Sequence, residues 1–164
     1  MKVHSQVLSL VLLFSTFSYL QIYPQVISSD LKAKVENSDM IVTGKVIEKS
    51  SQWNSDKTRI YTFVTISVDE LLKGSDFKQE ITIKHLGGEV GIVGEVYSHI
   101  PSFSDNEEVL VFLKKSANDG SLRVYGGDEG KYSFYDDSKT NDKLTSNNIK
   151  VSELKREIRS FIKQ

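Results

Sequence analysis

The sequence predicts a mainly β protein: a small barrel of five to six strands with a short N-terminal helix and a C-terminal amphipathic helix. Three observations carry that prediction. Over residues 58–72, Ile60, Val64, Ile66 and Val68 alternate with Tyr61, Phe63, Thr65, Ser67 and Asp69, the period of a half-buried strand written in β-branched and aromatic side chains. Val109, Leu110, Val111, Phe112 and Leu113 form an unbroken apolar run, as in a strand covered on both faces. Near the end, Leu154, Ile158, Phe161 and Ile162 recur at helical spacing instead.

The 164 residues include no cysteine, so neither disulfides nor thiolate ligands enter, and apolar burial alone must hold the fold. Residues 1–18 read as a secretory signal peptide: Lys2 gives a positive start, 7–14 an apolar stretch, and Thr16 and Ser18 the small residues before a cleavage site. The expected protein is therefore exported, to a periplasm or beyond, and keeps no stable membrane span, because the apolar stretch is shorter than the roughly 20 residues a spanning helix needs. Roughly 140 residues then remain, enough for one core and not for two, and a monomer is expected. Net charge is −1, without the clustered positive charge that a nucleic-acid surface needs.

Taken in order, the barrel domain is expected over 29–135. Leu31 and Val35, after Ser28, Ser29 and Asp30, predict a capped helix over 29–38. A first strand follows over 40–48, with Met40, Val42, Gly44 and Val46 on one face and Thr43 and Lys45 on the other, and Gly44 marks a bulge or bend. Residues 49–57 read as a polar loop carrying Trp53. The long strand 58–72 ends in Leu71-Leu72-Lys73-Gly74, and 80–86 forms a third strand of the meander. Asp105-Asn106 calls for a tight turn before 109–113, since Asn tolerates left-handed backbone. Asn118-Asp119-Gly120 predicts a hairpin into 122–125, and a second glycine turn at 126–130 leads into 131–135. Residues 136–150, rich in Asp, Asn, Ser, Thr and Lys, read as a polar linker, and 151–163 as the final helix with Ser152 as its N-cap.

The stretch richest in possibility is 85–99. Gly87, Gly88, Gly91 and Gly94 fit neither the dinucleotide fingerprint nor the phosphate loop, so no nucleotide and no cofactor is expected. Four glycines in eight residues instead imply a backbone path closed to other residues, at a barrel rim or against a ligand. No G-x-S-x-G elbow is present. His85, Glu89 and His99 form the one His-centred group, and a His-x-x-x-Glu spacing supplies two metal ligands if the glycines fold the loop back. Candidate binding residues are Trp53, Gly87, Gly88, Glu89, Gly91, Gly94, Tyr97 and His99.

A long second strand, a loop between the first two and a glycine-rich excursion after the third describe an OB-like barrel. Ser38-Asp39-Met40-Ile41-Val42-Thr43-Gly44-Lys45-Val46, with Val68-Asp69-Glu70-Leu71-Leu72-Lys73-Gly74, resembles the opening of the netrin-like domains and the tissue inhibitors of metalloproteases. The segment from Gly87-Gly88 to Phe103 and Glu107-Glu108-Val109-Leu110-Val111-Phe112-Leu113 is similar to exported bacterial proteins of unassigned function. The resemblance covers about 38–135 and implies a binding face formed by the second and third strands with the loops 49–57 and 116–120. It also meets a departure: those inhibitors chelate zinc through an N-terminal cysteine, which this chain lacks. The expectation is a secreted, non-enzymatic module that binds a protein through the barrel rim, a protease among the candidates. The alternative is a small metal-dependent ligand binder or hydrolase centred on His85 and His99.

Overall fold

A computed structural model of the chain describes residues 24–75, 78–138 and 140–163. The signal-peptide reading of 1–18 lies outside the described residues. By its contacts the chain separates into two units, 1–32 and 33–164, and the barrel belongs to the second.

The protein is mainly β, and its centre is a closed five-stranded barrel of OB-like type. β1 (Met40–Trp53) pairs antiparallel with β2 (Ile60–Lys73), and β2 with β3 (Glu80–Leu86). After an excursion through the hairpin β4 (Gly88–Val90) and β5 (Val93–Glu95), β6 (Glu108–Lys115) returns to pair with β1 and close the barrel. β7 (Leu122–Val124) fills the remaining gap, antiparallel to β6 and parallel to β3 through Ile83 and Leu122. Outside the barrel, β8 (Lys131–Asp137) adds to β6, and β9 (Asp142–Thr145) to β8.

Closure depends on β1, which must serve two partners. Its register slips against β2 at Ile41/Val42, Thr43/Gly44 and Val46/Glu48, and each irregularity bends the strand. Gly44 is required at one of them, because a Cβ there would lie 2.7 Å from Ile66 Cγ2 and overlap the Ser67 carbonyl. The inward faces then fill one core of Met40, Val42, Val46, Val64, Ile66, Ile81, Ile83, Phe103, Val109, Val111 and Leu113. The expected two-faced pattern of β1 fails at its start, where Ile41 and Thr43 are buried as well. β6 is likewise buried on both faces, as its unbroken apolar run requires; Phe112 meets the Tyr132 ring of β8 at 6.1 Å.

Helix α1 (Pro24–Asn37) starts earlier than the expected 29–38 and passes through the residues that looked like its cap. Its end is fixed from β2: the Lys73 ammonium donates to the carbonyls of Val35 (2.6 Å) and Ser38 (2.7 Å), placing a cation at the negative end of the helix. Helix α2 (Val151–Ile162) begins after Lys150 with no side-chain cap, so Ser152 does not serve as one. It packs on β2 and β9 and buries Val151, Leu154 and Ile158, whereas Phe161 is half-buried and Ile162 exposed. Glu70 of β2 pairs with Lys155 at 3.0 Å and also with Arg159, pinning the helix across the strand.

Two further expectations change. The polar loop of 49–57 shrinks to 54–59, because β1 runs on to Trp53 through the pairs Ser50–Phe63, Ser51–Thr62, Gln52–Tyr61 and Trp53–Ile60. Ladder hydrogen bonds do not ask whether a side chain is polar, so the strand outlasts its apolar face. The linker expected over 136–150 contains instead the end of β8 and all of β9, turned at Asn141 (φ 58°). Thr145 there is fully buried, and its hydroxyl accepts from the Ile149 amide.

Candidate functional site

Leaving β3, the chain turns through Gly87 (φ 87°) and Gly88 (φ 127°), conformations that L side chains rarely adopt. A Cβ on Gly87 would meet the Glu95 carbonyl at 2.7 Å, and one on Gly88 would overlap the hydroxyls of Ser51 and Thr62. The tight path therefore belongs to the barrel rim. β4 and β5 then pair Gly88 with Glu95, Glu89 with Gly94 and Val90 with Val93 around a turn at Gly91 (φ 64°) and Ile92. Gly94 keeps an ordinary φ.

The hairpin base is tied to the start of β2. Gly87 N–H donates to the Ile60 carbonyl (2.8 Å), and the Ile60 N–H to Glu95 Oε2 (3.0 Å), which also accepts from the Tyr97 hydroxyl at 3.0 Å. Desolvation and the adjoining Glu95 raise the Tyr97 phenol above its ordinary value. Against that fixed base Ile92 at the tip is bare and Val93 is exposed in part, and Val96, just past the base beyond Glu95, is 97% exposed.

Below the hairpin, the mouth of the barrel opens as a cleft of about 480 Å³ lined by Lys49, Ser51, Thr62, His85, Glu89 and Phe103. Thr62 and His85 occupy inward positions of β2 and β3, beyond Val64 and Ile83, so the cleft continues the core axis. Phe103 forms its floor, stacked on the His85 ring at 6.2 Å. The Thr62 hydroxyl donates to the Gly87 carbonyl at 2.6 Å and lies 2.8 Å from the Ser51 hydroxyl. Lys49 Nζ donates to the Phe103 carbonyl at 3.0 Å. His85 Nδ1 lies 2.9 Å from the Leu86 carbonyl, which can only accept, so this nitrogen carries the proton. Burial, partly offset by that hydrogen bond and reinforced by the Lys49 charge, holds His85 below its ordinary value of 6.5 and neutral at pH 7.

The candidates read from sequence thus part company. His85, Gly88 and Glu89 share the cleft, whereas His99 (φ 60°) is on the surface with Asp128 Oδ1 4.0 Å away and is not part of the lining. Among the described residues, no group of three or more His, Asp or Glu side chains is placed to hold a metal ion. Trp53 is half-buried at the end of β1 rather than in a loop. Lys49, Ser51 and Thr62 were not singled out, although they fall within the second strand and the 49–57 segment of the binding face that the resemblance implies. One signal did exist for Thr62, a polar residue at an inward position between Ile60 and Val64. Compared with protein-family models and with curated proteins, the chain matches none. No helix among the described residues is long and apolar enough to cross a membrane.

Proposed function

We propose that the protein is an exported, non-enzymatic binding module that grips a protein partner with the β4–β5 hairpin at its barrel rim. The observation that carries this reading is that Ile92 at the hairpin tip and Val96 just past the hairpin base are almost wholly exposed, while that base is locked by Glu95, Gly87 and Ile60. Apolar side chains held in water by a fixed backbone gain free energy when a partner covers them, with little ordering cost to offset it. The resemblance of 38–135 to netrin-like domains and metalloprotease inhibitors supports a protease as that partner. Lacking cysteine, the chain would use the hairpin as its wedge in place of an N-terminal chelating residue.

The test uses Ile92→Asp/Val96→Asp, which alters no buried contact. Partners captured from the exported fraction of the native host by the unaltered chain are identified, purified and titrated by calorimetry against both forms. Burying two such side chains is worth about 3 kcal/mol or more, so the variant should bind at least about a hundredfold more weakly at an unchanged Tm. Equal affinity of the two forms refutes the hairpin as the contact. Should the purified partner prove not to be a protease, that part of the reading falls and the module remains.

A further inference from the structure

The mouth of the barrel is built with a fixed polarity that can be read proton by proton. Because the Gly87 carbonyl can only accept, the Thr62 hydroxyl proton is committed to it, and the Ser51–Thr62 contact must run from Ser51 as donor. Both hydroxyl protons are then used within the wall, and Ser51, which lines the cleft, is left as an acceptor. His85 likewise commits its Nδ1 proton to Leu86 and keeps an unprotonated Nε2. Glu89 contributes a carboxylate that only accepts, and Lys49, after one hydrogen bond to Phe103, retains two N–H donors. Besides the Ser102 hydroxyl, which can donate or accept, the cleft thus offers three acceptors and one donor group, with the charges of Lys49 and Glu89 in balance.

A carboxylate or phosphate would set its oxygens against the lone pairs of Ser51, His85 and Glu89, and an ammonium would meet Lys49. A hydroxyl group satisfies both kinds of partner, since it donates and accepts without charge. The His85 ring, stacked on Phe103, adds an apolar surface of the kind that C–H faces of a ring pack against. The volume of about 480 Å³ suits a small molecule. We propose that this cleft is a binding site for a neutral polyhydroxy ligand, a small saccharide, held by Lys49, Ser51, His85 and Glu89. The site shares Glu89 with the hairpin but does not include its exposed Ile92, and either reading can fail without the other.

The experiment follows the carbon-bound ring protons of His85 by NMR, with calorimetry in parallel. The probes are neutral mono- and disaccharides of glucose, galactose and N-acetylglucosamine, then glucuronate and inorganic phosphate as anions, and choline as a cation. A saturable shift of the His85 resonances with at least one neutral sugar, and weaker or no response to the charged probes, is expected. Ser51→Ala, which removes no core volume, should weaken that sugar by roughly tenfold, as should Lys49→Met. Ile92→Asp/Val96→Asp should bind it as the unaltered chain does. The proposal is overturned if no neutral sugar shifts His85, if a charged probe binds more tightly, if both cleft variants bind unchanged, or if the hairpin variant loses the sugar.

Discussion

Gly74 and Gly88 provide a controlled comparison, because their φ angles are alike and their surroundings are not. Both have positive φ, 123° and 127°, so an alanine at either position meets the same strain, about 1–2 kcal/mol. At Gly74 little is added, since a Cβ would find its nearest neighbours, Leu71 Cδ1 and the Asp39 carbonyl, at an ordinary 3.5 and 3.6 Å. At Gly88 a Cβ would overlap both Thr62 Oγ1 and Ser51 Oγ and come within 3.0 Å of Ser51 Cβ. Thr62 is buried and β-branched and cannot swing aside, so the Ser51–Thr62–Gly87 hydrogen bonds must break, at about 1 kcal/mol each. Gly74→Ala should therefore cost about 1–2 kcal/mol and Gly88→Ala about 3–4. Urea unfolding followed by tryptophan fluorescence and circular dichroism separates the two, provided that the m-value stays constant. Equal costs would refute the close approach at the hairpin base, and a stabilised variant at either site would refute its positive φ.

Ile158→Ala, at a fully buried position of α2, should cost about 2–4 kcal/mol; a cost near zero in thermal melts would mean that the helix does not complete the core. Glu107 supplies a pH test. Burial alone would raise its carboxyl, but hydrogen bonds from Lys131, Ser133 and the Ser104 N–H outweigh burial and hold it below its ordinary 4.5. A depressed carboxyl adds stability that is present above pH 4.5 and lost as pH falls through its lower folded-state value. Glu107→Gln should thus lie below the unaltered chain in Tm at pH 7, with the gap narrowing towards pH 3; a constant gap would refute the linkage.

Much of the barrel was legible because burial on one face writes itself into a strand as alternation. Val64 and Ile66 of β2 and Ile81 and Ile83 of β3 do point into one core, and the unbroken run of β6 is covered on both sides. Backbone demands were legible where one residue type meets them: Gly74, Gly88 and Asn106 all have positive φ, and the β1 bulge falls at Gly44. What the sequence concealed were hydrogen-bonded ladders without an apolar face. Residues 49–53 and β9 looked like loop and linker because side-chain polarity reports exposure to water, whereas pairing is settled by the neighbouring strand. The cleft was hidden for a related reason. Lys49, Ser51, Thr62, His85 and Glu89 lie up to 40 positions apart and share no motif; what joins them is the register of β1 on β2 and of β2 on β3, which sets Ser51 opposite Thr62 and Thr62 opposite His85. Register is a property of the closed barrel, fixed by bulges and core packing together, so only the tertiary structure could decide which polar residues would face one another at its mouth.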